Sequence, residues 1–192
     1  MKWFLTISLM LTCVAVADDW PNWRGPRHDG LSREKGWAAD FSKVAWRAKV
    51  GVGFSSMAVA DGRVFTIGCT GKRQGNEETF YALNAATGEV LWKDTYPSAL
   101  VDYLHEGGPC ATPTVDGSRV IGLSKDGRLT CYSIGSGRKV WTVNLMEKAE
   151  LPRPPEWGFA ASPLVLGDLL IVEATFTLAL NRETGREVWR SK

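Results

Sequence analysis

The 192-residue chain is predicted to be all-β, a run of short four-stranded units, and three observations predict it. A Thr/Ser-Gly turn followed by Trp recurs at near-constant spacing. Pairs of short Val- and Ile-rich runs, split by Gly/Asp/Ser turns, recur in phase with it. Gly or Pro interrupts the chain about every ten residues, which leaves no room for long helices.

The turn motif aligns without gaps in three places: Ala82–Trp92, Cys131–Trp141 and Ala179–Trp189. Each segment places Thr or Ser before a glycine (Gly88, Gly137, Gly185), an aliphatic residue three positions after it, and Trp four after it (Trp92, Trp141, Trp189). The Trp spacings are 49 and 48 residues, and Trp46, which lacks the Gly, lies 46 residues before Trp92. Ahead of each motif come two apolar runs. Ser56–Val59, Thr112–Val115 and Ser162–Val165 start the first run; Asp61-Gly62, Gly117-Ser118 and Gly167-Asp168 turn into the second. Runs of this kind are strands in hairpins.

Each unit therefore holds four strands, over residues 55–94, 111–143 and 161–190. Four strands per unit of about 45–50 residues is the pattern of a propeller blade. A β-sandwich is the alternative, but it does not account for the in-phase Trp. The fold expected is a partial β-propeller of about three four-stranded blades, with one further strand around Val44–Arg47 preceding the first. Gly88, Gly137 and Gly185 supply the positive φ of the turn, the preceding Thr or Ser bonds local backbone, and the Trp fills the wedge between blades while its N–H seeks a backbone acceptor.

The three motif segments resemble the pyrroloquinoline-quinone (PQQ) type of propeller repeat, whose pattern is Ala-x-Asp-x-x-Thr-Gly-x-x-x-Trp. Ala82, Thr87, Gly88 and Trp92 match it, as do Ala179, Thr184, Gly185 and Trp189; the second unit keeps Gly137 and Trp141 with Ser136 for Thr. The pattern's Asp is replaced by Asn84, Ser133 and Asn181. Residues Asp19–Pro26 with Asp29-Gly30 look like the lead-in of exported PQQ-like propeller proteins. The resemblance implies one of two functions, and the repeat does not separate them. One is a non-catalytic scaffold, as in the propeller subunit of the outer-membrane barrel-assembly machinery. The other is a quinoprotein dehydrogenase, which holds PQQ with calcium over the propeller axis and uses an Asp base. The adjacent Cys pair of many quinoprotein alcohol dehydrogenases is missing from this sequence, and no Asp/Glu/Asn calcium set stands out in it.

Antiparallel strand order sends two kinds of loop to opposite faces of a blade. Short turns join strands one to two and three to four. The other face receives the long segments 70–78, 95–110 and 144–160, where binding on a rigid scaffold usually resides. His105 and Glu106 are candidates there for an acid/base pair or a metal ligand and, with Trp157, for cofactor binding, read otherwise as a polar loop with Gly turns. Arg153, Glu156 and Trp157 are candidates to line a pocket, read otherwise as a Pro-rich connector whose Trp packs on the next blade. Lys72 and Arg73 opposite Glu77 and Glu78 read as a solvated hairpin tip. Cys69 and Cys110 are expected on that face of adjacent blades, where a disulfide is geometrically open to them; Cys131 reads as a small buried residue. His28 in the lead-in has no evident partner. No metal motif, nucleophile elbow or phosphate loop is seen.

The N-terminus reads as an export signal: Lys2, a short apolar run over residues 3–14, and the small-x-small site Ala15-Val16-Ala17. The run is too short for a stable membrane span, and no later segment is long and apolar enough for one. Cys13 does not suit lipidation, since Thr12 precedes it. The segment 18–43 is then a lead-in and 44–192 the repeats. Formal net charge is +2, with 44% hydrophobic and 23% charged residues, so no strong field favours nucleic acid or anionic lipid. Three blades do not close a ring of about four to eight, so the sequence is expected to be part of a longer one, or else to complete a ring between chains.

The function expected is an exported, non-catalytic scaffold for protein or ligand binding, periplasmic or secreted, with protein partners in the cell envelope and no cofactor. The alternative is a fragment of a PQQ-dependent dehydrogenase with PQQ and calcium; another propeller hydrolase or lyase is a third possibility. Mass spectrometry of the exported protein is expected to show Asp18 as its first residue; an intact Met1 or a lipidated Cys13 would contradict that.

Overall fold

The computed structural model describes residues 17–36, 40, 42–72, 74–98 and 107–191, with the side chains of 71–76 left aside. The export segment expected over 1–17 lies outside these residues apart from Ala17, as do Arg73, His105 and Glu106. Among the described residues, twelve strands and one short helix follow one another. The first sheet is β1 (Ala58–Ala60), β2 (Arg63–Lys72), β3 (Gln74–Asn84) and β4 (Val90–Pro97). The second is β5 (Thr114–Asp116), β6 (Arg119–Leu123), β7 (Arg128–Ser133) and β8 (Lys139–Asn144). After α1 (Leu145–Lys148) comes the third: β9 (Leu164–Leu166), β10 (Leu169–Glu173), β11 (Thr177–Asn181) and β12 (Glu187–Arg190). Each sheet is an antiparallel meander in chain order. These are three propeller blades.

The blades share details that the motif explains. The motif's first residue faces its last across the strand pair, Ala82 opposite Trp92, Cys131 opposite Trp141 and Ala179 opposite Trp189. A small side chain there leaves space beside the indole. Register slips by one residue after each of these pairs, a bulge that sharpens the local twist. The turn between is closed by the N–H of Gly88, Gly137 and Gly185 donating to the carbonyls of Asn84, Ser133 and Asn181 at 2.8, 2.9 and 2.8 Å. Asn84 and Asn181 also accept turn N–H groups on Oδ1, from Ala86 at 2.8 Å and from Thr184 at 3.0 Å, so Asn performs the capping an Asp would perform. Thr87, Ser136 and Thr184 each accept on Oγ from the N–H two residues on.

The motif indoles of the first two blades are inserted into the following blade. Trp92 Nε1 donates to Ile134 O at 2.9 Å, and Trp141 Nε1 to Arg182 O at 3.2 Å. Their rings lie flat on the motif glycine of that blade. A Cβ on Gly137 would stand 2.6 Å from the Trp92 ring, and one on Gly185 would stand 2.9 Å from Trp141. Trp92 is also stacked on Phe80 at 5.6 Å and 7°, with Phe65 and Tyr132 around it. The residue that accepts the indole also anchors its own blade: Ala85, Ile134 and Arg182 donate their N–H to Gly62, Ser118 and Asp168 in the first turn of the same sheet.

Trp46 completes the series. Its Nε1 donates to Ala85 O at 3.0 Å and its ring lies on Gly88, where a Cβ would stand at 2.5 Å. Residues 44–47 nevertheless carry no ladder among the described residues. The indole reproduces the docking of an outer strand without the strand.

Two apolar cores fill the joints. Phe65, Ile67 and Phe80 meet Val120 and Tyr132 between the first two blades, and Ile121, Leu123 and Leu129 meet Leu170, Val172 and Leu178 between the second and third. The helix α1 was not expected. Asn144 caps it, its Oδ1 accepting from Met146 N–H at 3.0 Å and its Nδ2 donating to Glu147 at 2.9 Å, while Leu145 is fully buried beneath. The segment 70–78 is also not an irregular loop: β2 and β3 stay paired to Lys72 and Gln74, since a ladder satisfies backbone groups that a loop would leave to water.

Trp92→Ala is expected to lower stability by about 3 kcal/mol, through the lost packing and the orphaned carbonyl. Gly137→Ala and Gly117→Ala both force Ala to positive φ (69° and 56°), but only Gly137 meets an indole. In urea melts Gly137→Ala should therefore lose about 1–3 kcal/mol more than Gly117→Ala.

Candidate functional site

The hairpin ends after Lys72, Leu123 and Glu173 and the connectors between blades share one face. At the joint of the first two blades this face carries a buried polar cluster built on Glu78. Strand alternation places Glu78 in phase with Phe80 and Ala82, and it is paired with Cys69. It is therefore drawn into the joint, with 0% exposure. This corrects the sequence expectation that Glu78 belongs to a solvated hairpin tip. The residue was legible as a site residue only through its phase with Phe80.

Glu78 Oε1 accepts from Lys125 N–H at 3.4 Å and lies 3.1 Å from Ser98 Oγ, while its Oε2 has no hydrogen-bond partner. Ser98 Oγ also lies 2.6 Å from Asp126 Oδ2. A hydroxyl has one proton to give. When Ser98 donates to Asp126, its contact with Glu78 is a hydrogen bond only if Glu78 is protonated and donates. Burial pushes the Glu78 carboxyl above its ordinary value, with the neighbouring Asp126 charge adding to the effect. Burial outweighs the hydrogen bonds from Ser98 and the Lys125 N–H, which favour the charged form, so the carboxyl keeps its proton more tightly than one in water does.

The turn that presents Lys125 and Asp126 is clamped from the other side. Gly158, at φ 70°, lies against Lys125 O, and Phe159 N–H donates to that carbonyl at 2.8 Å. The Phe159 ring covers Gly127 so closely that a Cβ there would stand 2.7 Å away. Lys125 itself is 6% exposed. Opposite Glu78, Tyr96 is buried beneath the Arg128 guanidinium, 4.6 Å above its ring. The cluster ties three chain segments together and is closed to solvent at Glu78; it does not expose a nucleophile or a base to a substrate.

Arg153 and Glu156 line an open cavity of about 390 Å³ with Leu151, Pro152, Pro154 and Thr175. Trp157, taken with them in the sequence, does not line it and is 56% exposed. The structure therefore joins two of those three candidates. His105 and Glu106 lie outside the described residues. Cys69, Cys110 and Cys131 are free thiols. The segment at Val52–Ser55 explains why the first two are not bonded: Val52 exchanges hydrogen bonds with Cys69, and Phe54 and Ser55 donate to Pro109 O, so a stretch of backbone separates the two cysteines. Burial raises both thiols, and Cys131 is pushed up to about 12. Among the described residues, no three of His, Cys, Asp and Glu gather to hold a metal ion, and no helix is long and apolar enough to cross a membrane.

A family model described as outer membrane protein assembly factor BamB matches residues 28–192. The BamB protein of Burkholderia pseudomallei is 27% identical over 114 residues, covering 57% of this chain and 27% of that protein. Among solved structures, BamB from Moraxella catarrhalis aligns over 79% of this chain and 40% of its own, with a TM-score of 0.54 and 21% identity. Quinohemoprotein alcohol dehydrogenase from Comamonas testosteroni aligns over 90% and 27%, with a TM-score of 0.62 and 19% identity. The two structural likenesses speak for the propeller fold alone. The chain spans about a quarter of the curated relative's length.

The raised proton affinity of Glu78 has a measurable sign. A carboxyl whose folded pKa is raised stabilises the fold fully below its unfolded value, ordinarily 4.5, and loses that contribution as pH rises through the folded value. Glu78→Gln mimics the protonated form. Its melting temperature relative to wild type should climb as pH is raised above 4.5, and a flat difference would contradict a shifted Glu78.

Proposed function

Because the chain belongs to the family of the outer membrane protein assembly factor BamB, we propose that it is an exported, non-catalytic propeller scaffold that binds protein partners during the assembly of outer-membrane proteins. The single observation that carries this reading is the family match over residues 28–192. The structure supports it on chemistry. The blade joints are packed with indoles and apolar side chains, and the Glu78 carboxyl on the long-connector face is sealed from solvent. The connectors on that face, with exposed Trp157 and the cavity at Arg153 and Glu156, offer a contact surface rather than a reaction chamber. The place of action proposed is the periplasm, after removal of residues 1–17.

The reading requires neither PQQ nor calcium. Cells lacking the gene should hold less folded β-barrel protein in the outer membrane, and the complete reading frame should restore it. Titration of the purified, signal-free protein with PQQ and Ca²⁺ should give no saturable quenching of Trp fluorescence. Saturable quenching accompanied by dye-linked alcohol oxidation would overturn the scaffold reading in favour of a quinoprotein.

A further inference from the structure

The lead-in segment docks on the inner strands of the blades, and it stops one blade short. Trp20 exchanges both backbone hydrogen bonds with Val59 at the centre of β1, N–H to carbonyl at 2.7 and 2.8 Å. One residue on, Pro21 O accepts from Val115 N–H at the centre of β5, at 2.7 Å. Pro21 has no N–H, so that second pairing is limited to one bond. The chain then turns away: Gly25 N–H donates to Asn22 O at 3.0 Å, Arg24 and Gly25 take φ of 64° and 76°, and Gly25 packs beneath the Trp20 ring.

The third inner strand has the same register. Val165 pairs with Leu170 as Val59 pairs with Val64 and Val115 with Val120. In an antiparallel ladder these are the positions whose N–H and C=O face away from the partner strand. Val59 and Val115 use theirs to hold the lead-in. Among the described residues no backbone hydrogen bond reaches those of Val165. Beside it opens an apolar cavity of about 460 Å³, lined by Trp23, His28, Leu164 and Leu166 among others. Trp23, Leu164 and Leu166 are 55%, 37% and 63% exposed.

We infer that the free edge of β9 is a docking site for one extended strand of another polypeptide, which continues the line of pairing begun by Trp20 and Pro21. The slot asks for a backbone donor and acceptor opposite Val165, and for apolar side chains at alternate positions to cover Leu164, Leu166 and the Trp23 indole. Strands of outer-membrane β-barrels alternate apolar and polar residues in this way. Resting on the scaffold reading above, the occupant is therefore an unfolded β-barrel strand. The surface is continuous with an interface the chain already makes with itself, and it offers the same two backbone groups.

The test uses the complete, signal-free chain and a labelled synthetic peptide of about ten residues, the length of a barrel strand, alternating Val or Phe with Thr. The control peptide has the same sequence with alternate backbone nitrogens methylated. Binding is read by fluorescence anisotropy, and protection of the Val165 amide by hydrogen–deuterium exchange. Val165→Pro removes the outward N–H while leaving the ladder to β10, and Leu166→Asp charges an exposed wall without opening the core. Wild type should bind the first peptide and protect Val165; methylation of the peptide or either substitution should weaken binding about tenfold or more. Absence of binding by folded wild type, equal binding by both variants, or protection confined elsewhere would overturn the inference. Rescue of barrel levels in cells by a wild-type protein that binds no peptide would overturn the β9 site and leave the scaffold reading standing. Peptide binding at β9 without rescue would uphold the site and remove the scaffold reading.

Discussion

An indole laid flat on a glycine of the next blade is the contact on which this structure depends. It occurs at Trp46 on Gly88, Trp92 on Gly137 and Trp141 on Gly185. Two requirements meet at each glycine. The turn needs a left-handed residue, and the approaching ring needs the space of a missing Cβ. The acceptor carbonyl for the indole N–H is displayed by the same turn, which is itself bonded to the first turn of its sheet. One side chain therefore fixes the distance between two blades and the geometry of the hairpin it lands on. The apolar cores inside the joints, around Phe65 and Phe80 or Leu170 and Leu178, fill the space that this contact defines.

Most of this was legible because the motif is self-contained. The residues that turn, the small residue opposite the indole and the indole itself lie within eleven positions, so a repeat of the pattern is a repeat of the structure. What the sequence did not reveal depends on neighbours distant along the chain. Glu78 sits among Glu and Lys residues that read as solvated, yet its strand phase carries it into a joint whose other wall is the turn at Lys125 and Asp126, 47 residues away at Lys125. The lead-in was recognisable as a segment, but nothing in Trp20 or Pro21 announces that they pair with Val59 and Val115. The cysteines at 69 and 110 were placed on one face correctly in outline, and only the fold shows the backbone of Val52–Ser55 between them.

The two faces of the blades are consequently unequal. The face of the short turns is spent on the joints, since every motif turn there receives or anchors something. The opposite face carries the connectors, the clamp of Gly158 and Phe159 on the Lys125 turn, and the open cavity at Arg153. The docking of blade on blade is thereby concentrated on one side, and the connectors lie on the other. The buried carboxyl at Glu78 belongs to the same logic, as a polar pin between connector, hairpin and turn.

The indole joint is also asymmetric: the plug is at the end of a blade and the socket is in the turn just ahead of the next plug. A stretch of chain running from just after one plug to the next holds one socket and one plug, and is compatible with a copy of itself at either end. Duplication of such a stretch in frame yields a unit that needs no new complementary surface, since the old surface already recognises it. Contacts of this head-to-tail kind stop only when rotation per unit brings the last plug to the first socket. The number of blades is therefore a matter of accumulated angle, and lineages with this joint are free to change ring size by adding or losing whole units while the chemistry of the joint stays the same.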